Sequence, residues 1–232
     1  MKPGYFSRLL AARDAKRPVA LLTRLSDGAQ TLVDDSVADG DLELGAALGE
    51  ALQQRFVSGQ SGPLDDAGDV FARVYVPAPR LLIVGAVHIS QALAPIAAMA
   101  GYEVTIIDPR SAFASAQRFP GVSITDDWPD EAMMRLAPDA QTAVVTLTHD
   151  PKLDDPALAA ALASPAFYIG ALGSTRTHEK RVARLRELEL DTELGRIHAP
   201  IGLDLGGRFP TEIAVAILAQ IIRVRYHKES AR

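Results

Sequence analysis

From position 81 onward the chain alternates two kinds of segment. LLIVG, EVTIID, GVSI, AVVTLTH and AFYIG are short β-rich runs, and apolar helical segments lie between most of them. Parallel neighbours need a crossover of a dozen or more residues, usually a helix, so the alternation constrains this part to an α/β domain with a parallel sheet. In a doubly wound sheet the ligand crevice lies outside the carboxyl ends of the strands, so binding residues are expected in the loops there. The last helix is predicted near Pro210 to Arg225, with Pro at its start, Glu212 in its first turn and a stripe of Ile213, Ile217, Ile221 and Val224.

The first part of the chain has a different pattern. Tyr5 to Ala15 reads as a short helix, and PVALLTRL and QTLVD flank Ser26-Asp27-Gly28, whose Asp-Gly step is a strong hairpin signal. Leu44, Leu48, Leu52 and Phe56 recur at intervals of four and stop near Ser58-Gly59, which predicts a second helix. Val70 to Val76 reads as a further strand, and Pro77-Ala78-Pro79 then stiffens the chain. A small N-terminal α+β domain over 1–77 and an α/β domain over 78–232 are expected.

The net charge is −5, and no stripe of Lys and Arg interleaved with aromatics is present, so the electrostatic footprint of a nucleic-acid binder is missing. No apolar stretch approaches the ~18 residues of a membrane span, and the charged N-terminal segment does not read as a targeting signal. The expectation is a cytoplasmic protein whose partners are small molecules or proteins. There is no cysteine, which excludes disulfides, thiolate metal ligands, iron–sulfur clusters and a persulfide on this chain. The five histidines show no metal-binding spacing, and no intrinsic metal-ion site is expected.

Four strand-end segments are candidates for a ligand site. LLIVG-A-V-H-I-S has the context of a dinucleotide fingerprint, with Gly85 at the tight turn, His88 opening the helix and Asp108, followed by Arg110, about 20 residues on. Val87 stands where the second glycine would admit a pyrophosphate, and Ser90 replaces the third, which argues against ordinary NAD(P) binding. Thr148, His149 and Asp150 end the AVVTLTH run, with Asp154 about a turn on; His149 is an acid/base or ligand-donor candidate, and a structural capping pair is the competing reading. Gly170, Gly173, Ser174 and Arg176 form a flexible loop at a helix start, and that helix also carries Lys180, Arg181 and Arg184. These groups suit a phosphate or carboxylate, or else Ser174 is an ordinary cap and the arginines a solvated face. A glycine- and proline-rich stretch from His198 holds Gly202 and Asp204 and leads to Glu212; a surface connection is its competing reading.

LLIVGAVHISQALAPIA, Asp108-Pro-Arg110, RFPGV, Thr148-His149-Asp150, YIGALGSTRT, HAPIGLDLGG and PTEIAVAILAQI together, in this order, resemble the motifs of the XdhC/CoxI family over about residues 80 to 225. The first part resembles the family's N-terminal domain less closely, as a reduced version of it with a compact remnant around Gly40-Asp41-Leu42-Glu43 that looks similar. The resemblance implies a Rossmann-like fold and an accessory protein that binds molybdenum cofactor (molybdopterin) as cargo, protects it during sulfuration and delivers it to an apo molybdenum hydroxylase such as xanthine dehydrogenase or carbon monoxide dehydrogenase. It further implies a homodimer and, since this chain has no cysteine to relay sulfur, a separate cysteine desulfurase. On that reading the Gly170 to Ser174 loop and Arg176 would hold the pterin's phosphate, and Asp108, His149 and Asp204 its polar edge. No catalytic residue is required. The alternatives are an NAD(P)-dependent oxidoreductase using Asp108 for ribose and His149 as proton donor, a nucleotide-sensing binding module, and a structural assembly factor with an empty crevice.

Overall fold

The computed structural model describes residues 2–34, 37–187 and 191–226. The chain divides into two compact units, Met1–Pro77 and Ala78–Arg232.

In the first unit, α1 (Pro3–Asp14) precedes β1 (Val19–Arg24), β2 (Gln30–Asp34) and β3 (Val37–Gly40); α2 (Ala46–Ser58), β4 (Gly62–Pro63) and β5 (Val70–Tyr75) follow. The strands form an antiparallel sheet in the order β3-β2-β1-β5-β4. The expected hairpin joins β1 to β2. Gly28 takes φ 75°, and the Asp27 carboxylate accepts the Ala29 N–H at 2.9 Å. Side chains alternate between the two faces, as strand geometry requires. Val19 and Leu32 pack with Tyr5, Leu9 and Ala12 of α1, whereas Ala20, Leu22 and Val33 pack with Leu52 of α2. Leu44 precedes α2 rather than opening it, and the helix ends at Gly59, whose left-handed φ of 69° lets its N–H donate to the Arg55 carbonyl.

The second unit holds β6 (Arg80–Val84), α3 (His88–Met99), β7 (Glu103–Ile107), β8 (Ser123–Thr125), α4 (Pro129–Leu136), β9 (Thr142–Thr146), α5 (Pro151–Leu162), β10 (Tyr168–Ala171), α6 (Thr175–Arg186), β11 (Ile197–His198) and α7 (Pro210–Tyr226). All pairs in its sheet are parallel, in the order β11-β10-β9-β6-β7-β8. Counted from the first strand this is the Rossmann order 3-2-1-4-5-6, with the direction of winding reversing between β6 and β9. Along β6, Leu81 and Ile83 face one core with Leu93 and Ala97 of α3 and Ile217 and Ile221 of α7. Leu82 and Val84 face the other with Met133 of α4, Leu158 of α5 and Leu185 of α6. Helices therefore cover both faces, and Ile213 and Val224 complete the expected α7 stripe as partly buried neighbours of the core. Among the described residues, no helix is long and apolar enough to cross a membrane.

Candidate functional site

The sheet delivers its loops to one edge, and the first two are locked together by a carboxylate. Gly85 takes φ 111° with its N–H on the Ile107 carbonyl at 2.9 Å, and a Cβ there would lie 2.6 Å from Thr148 Cγ2. Glycine is needed because the end of β9 passes so close. Asp108 was expected to bond a ribose or a pterin edge. Its fully buried carboxylate instead accepts from the Ala86 N–H at 2.8 Å, the Arg110 N–H at 3.0 Å, and Arg110 Nε and Nη2 at 2.8 and 2.7 Å. Four bonds fill the acceptor capacity of a carboxylate, so Asp108 fixes Arg110 and the first turn and has no site left for a ligand. Burial pushes this carboxyl up, but Arg110 and the two backbone N–H groups outweigh it and hold it below the ordinary carboxylate range. The Ser90 hydroxyl donates to the Gly85 carbonyl, and the Val87 N–H reaches Ser90 Oγ at 3.4 Å. With Ala86 committed to Asp108 as well, few amides remain at this turn for a pyrophosphate. His88 is exposed at the first position of α3.

At the end of β9, Asp154 gathers the loop around itself. Its Oδ1 accepts from Thr148 Oγ1 at 2.6 Å and its Oδ2 from the His149 N–H at 3.1 Å. Asp150 caps α5 by accepting the Lys152 N–H at 3.0 Å. His149 is pinned by its own N–H at φ 63°, a left-handed conformation uncommon for a residue with a Cβ, while its side chain stays exposed. Backbone strain held in place by surrounding bonds is characteristic of functional loops. Burial raises the Asp154 carboxyl above its usual value, against the opposing pull of the Thr148 hydroxyl and of Arg181, whose Nη2 lies 3.8 Å away.

The end of β10 turns through Gly170 and Gly173 into α6. A Cβ on Gly170 would collide with Ile201, and Ser174 caps the helix by accepting the Thr177 N–H at 3.2 Å, as its competing reading held. A cavity of about 280 Å³ opens between this helix and the β9 loop; His149, Asp154, Arg176, Lys180 and Arg181 are among its lining residues. Asp155 and Arg184 also line it and neutralise one another through a two-pronged ion pair. Arg176 and Lys180 are exposed and have no ion-pair partner among the described residues.

The fourth segment is held by α7. Gln220 Oε1 accepts from the Tyr168 hydroxyl at 2.6 Å and from the Gly202 N–H at 2.8 Å, and His198 stacks on the Tyr168 ring at 4.7 Å. Asp204 accepts the Gly206 N–H at 3.3 Å in a local turn, and Glu212 caps α7 by accepting the Arg208 and Phe209 N–H groups at 2.9 and 3.1 Å. The structure thus brings His149 and Arg176 into one cavity and sets Thr148 and Asp150 beside it; Gly202, Asp204 and Glu212 do not line it. The pairing of Asp154 with Arg181 beneath it was not anticipated. Its signal was the spacing of four between Arg181 and the buried Leu185, which places the arginine on the inward face of α6.

Residues 81–221 match the protein family described as the XdhC Rossmann domain. This chain belongs to the XdhC family. The chain is 37% identical over 154 residues to the molybdenum cofactor insertion chaperone PaoD of Escherichia coli, an alignment covering 66% of this chain and 42% of that protein. A Bacillus subtilis protein named as a probable xanthine dehydrogenase subunit is 30% identical over 174 residues, covering 74% of this chain and 51% of its own length. The chain thus spans about half, or less, of these relatives. A crystal structure named as a xanthine dehydrogenase from Bacillus halodurans shares the fold, with a TM-score of 0.72 at 23% identity over 95% of this chain and 66% of that one.

Proposed function

We propose that this XdhC-family chain is an accessory factor for molybdenum hydroxylases that takes up molybdenum cofactor as cargo beside α6 and hands it to an apo-enzyme of the xanthine dehydrogenase or carbon monoxide dehydrogenase type. The observation that carries the proposal is the cavity in which His149 meets Arg176 and Lys180, two cations with no ion-pair partner among the described residues. A pterin bearing a phosphate offers an anion for the cations and polar ring edges for an imidazole. The residues present fit such a ligand, since buried Arg181 has Nε and Nη1 atoms with no hydrogen-bond partner among the described residues. The insertion role named for the Escherichia coli relative supports the same reading.

The chain's own task is to bind, orient and shield. His149 and Arg176 come from different strand ends, so their separation is set by the parallel pairing of β9 with β10 and not by either loop alone. The sequence contains no cysteine, so sulfuration of the cargo calls for a cysteine desulfurase acting on the bound cofactor. A homodimer is part of the same proposal.

Activation of a purified apo-hydroxylase by added cofactor tests the role. The chain is expected to raise the rate of activation, and Arg176→Ala to reduce that stimulation roughly tenfold, the loss of about one charge-assisted bond. Equal activation with and without the chain would overturn the proposal.

A further inference from the structure

The ligand-facing wall of the cavity is the side of α6, not its N-terminus. Ser174 already occupies the Thr177 N–H, and the His178 N–H is bonded to the Ser174 carbonyl. Positions 176, 177, 180, 181 and 184 are spaced by three and four, so they form one helical face, and all five line the cavity. Arg181 lies at the base of that face with its side chain 2% exposed. Its Nη2 donates to the Leu172 carbonyl at 2.9 Å, while Nε and Nη1 are buried and have no hydrogen-bond partner among the described residues. Asp154, at 3.8 Å, is beyond hydrogen-bond range and offsets the charge without filling those donors. A buried guanidinium with open donors is destabilising unless something accepts from it. Above it, the exposed Arg176 and Lys180 add positive charge, and Asp155 is already held by Arg184.

We propose that Arg181 is the buried anchor of an oxyanion site on this helix face, where a phosphate monoester is held by Arg181, Arg176 and Lys180. This rests on the cargo reading above and deepens it, because it assigns the phosphate of the ligand to the α6 face and leaves the ring system to the His149 side. The two unsatisfied Arg181 donors become satisfied by phosphate oxygens, which is why the arginine is tolerated at that depth.

The test is calorimetric titration of the full chain with inorganic phosphate, with pyrophosphate, and with molybdenum cofactor in the presence and absence of pyrophosphate. Pyrophosphate is expected to bind and to compete with the cofactor. Arg181→Lys, which keeps the charge and loses the planar donors, is expected to weaken pyrophosphate at least tenfold. Lys180→Glu changes an exposed residue, so folding is preserved, and it is expected to weaken pyrophosphate by a similar factor. Cofactor binding with no competition from pyrophosphate, or unchanged pyrophosphate affinity in both variants, would overturn the phosphate assignment while leaving the cargo reading intact. Pyrophosphate binding that both variants weaken, without any binding of cofactor, would uphold the oxyanion site and overturn the cargo reading.

Discussion

His149 combines an exposed imidazole with a backbone in the left-handed region whose N–H donates to Asp154. Glycine occupies that region at no steric penalty. His149→Gly is therefore expected to raise the unfolding free energy by about 1 kcal/mol in urea titration while weakening the cargo. A loss of stability instead would mean that the imidazole itself holds the fold. The opposite balance is expected at Asp108, which is filled by bonds from its own chain. Asp108→Asn should remove about 1–2 kcal/mol at neutral pH, since a buried amide offers the Ala86 and Arg110 N–H groups one acceptor oxygen in place of two, while Arg110, more than a third exposed, regains part of its loss from water. The native carboxyl titrates below its usual 3.8, so its stabilisation is complete above that value and is lost as pH falls through the lower folded value. The gap between wild type and Asp108→Asn should therefore narrow in acid; a gap that is constant from pH 7 to pH 3 would contradict a structural role for the charge.

At the level of elements, the long β-rich runs and the four-spaced stripes were legible because each carries its own periodicity. Val37–Gly40, Gly62–Pro63 and Ile197–His198 were not, because VADG, GP and IH hold no β-rich run of their own, unlike the equally short β8 within GVSI, and form through their partners. The site shows the same division. His149 and Arg176 were legible from strand ends, but the bond from Arg110 back to Asp108 depends on how the turn after β7 closes. The role of Gln220 was likewise hidden. It lies among apolar α7 residues and ties the 199–209 segment to β10 through Tyr168 and Gly202. Gln220→Leu leaves both groups without their acceptor and is expected to destabilise by about 2–4 kcal/mol. Amide hydrogen exchange should accelerate first in the 199–209 segment; unaltered protection there would show that the segment is held by other contacts.

Across the whole molecule, each unit has its own apolar core, two clusters in Met1–Pro77 and two in Ala78–Arg232, and each core lies entirely within its unit. The fragment 78–232 is expected to fold alone with a cooperative thermal transition, because every strand of its sheet and every lining residue of the cavity lies within it. A fragment without such a transition would make the first unit a required part of the Rossmann core. The cargo reading predicts that binding follows the cavity and not the β6 turn. Isothermal titration of the purified full chain with molybdenum cofactor, NAD and NADP, repeated with Arg176→Ala, reads this directly. Cofactor is expected to bind selectively and to bind Arg176→Ala about tenfold more weakly; tight binding of NAD or NADP with none of the cofactor would contradict storage of the cargo and make a nucleotide-dependent oxidoreductase the leading reading.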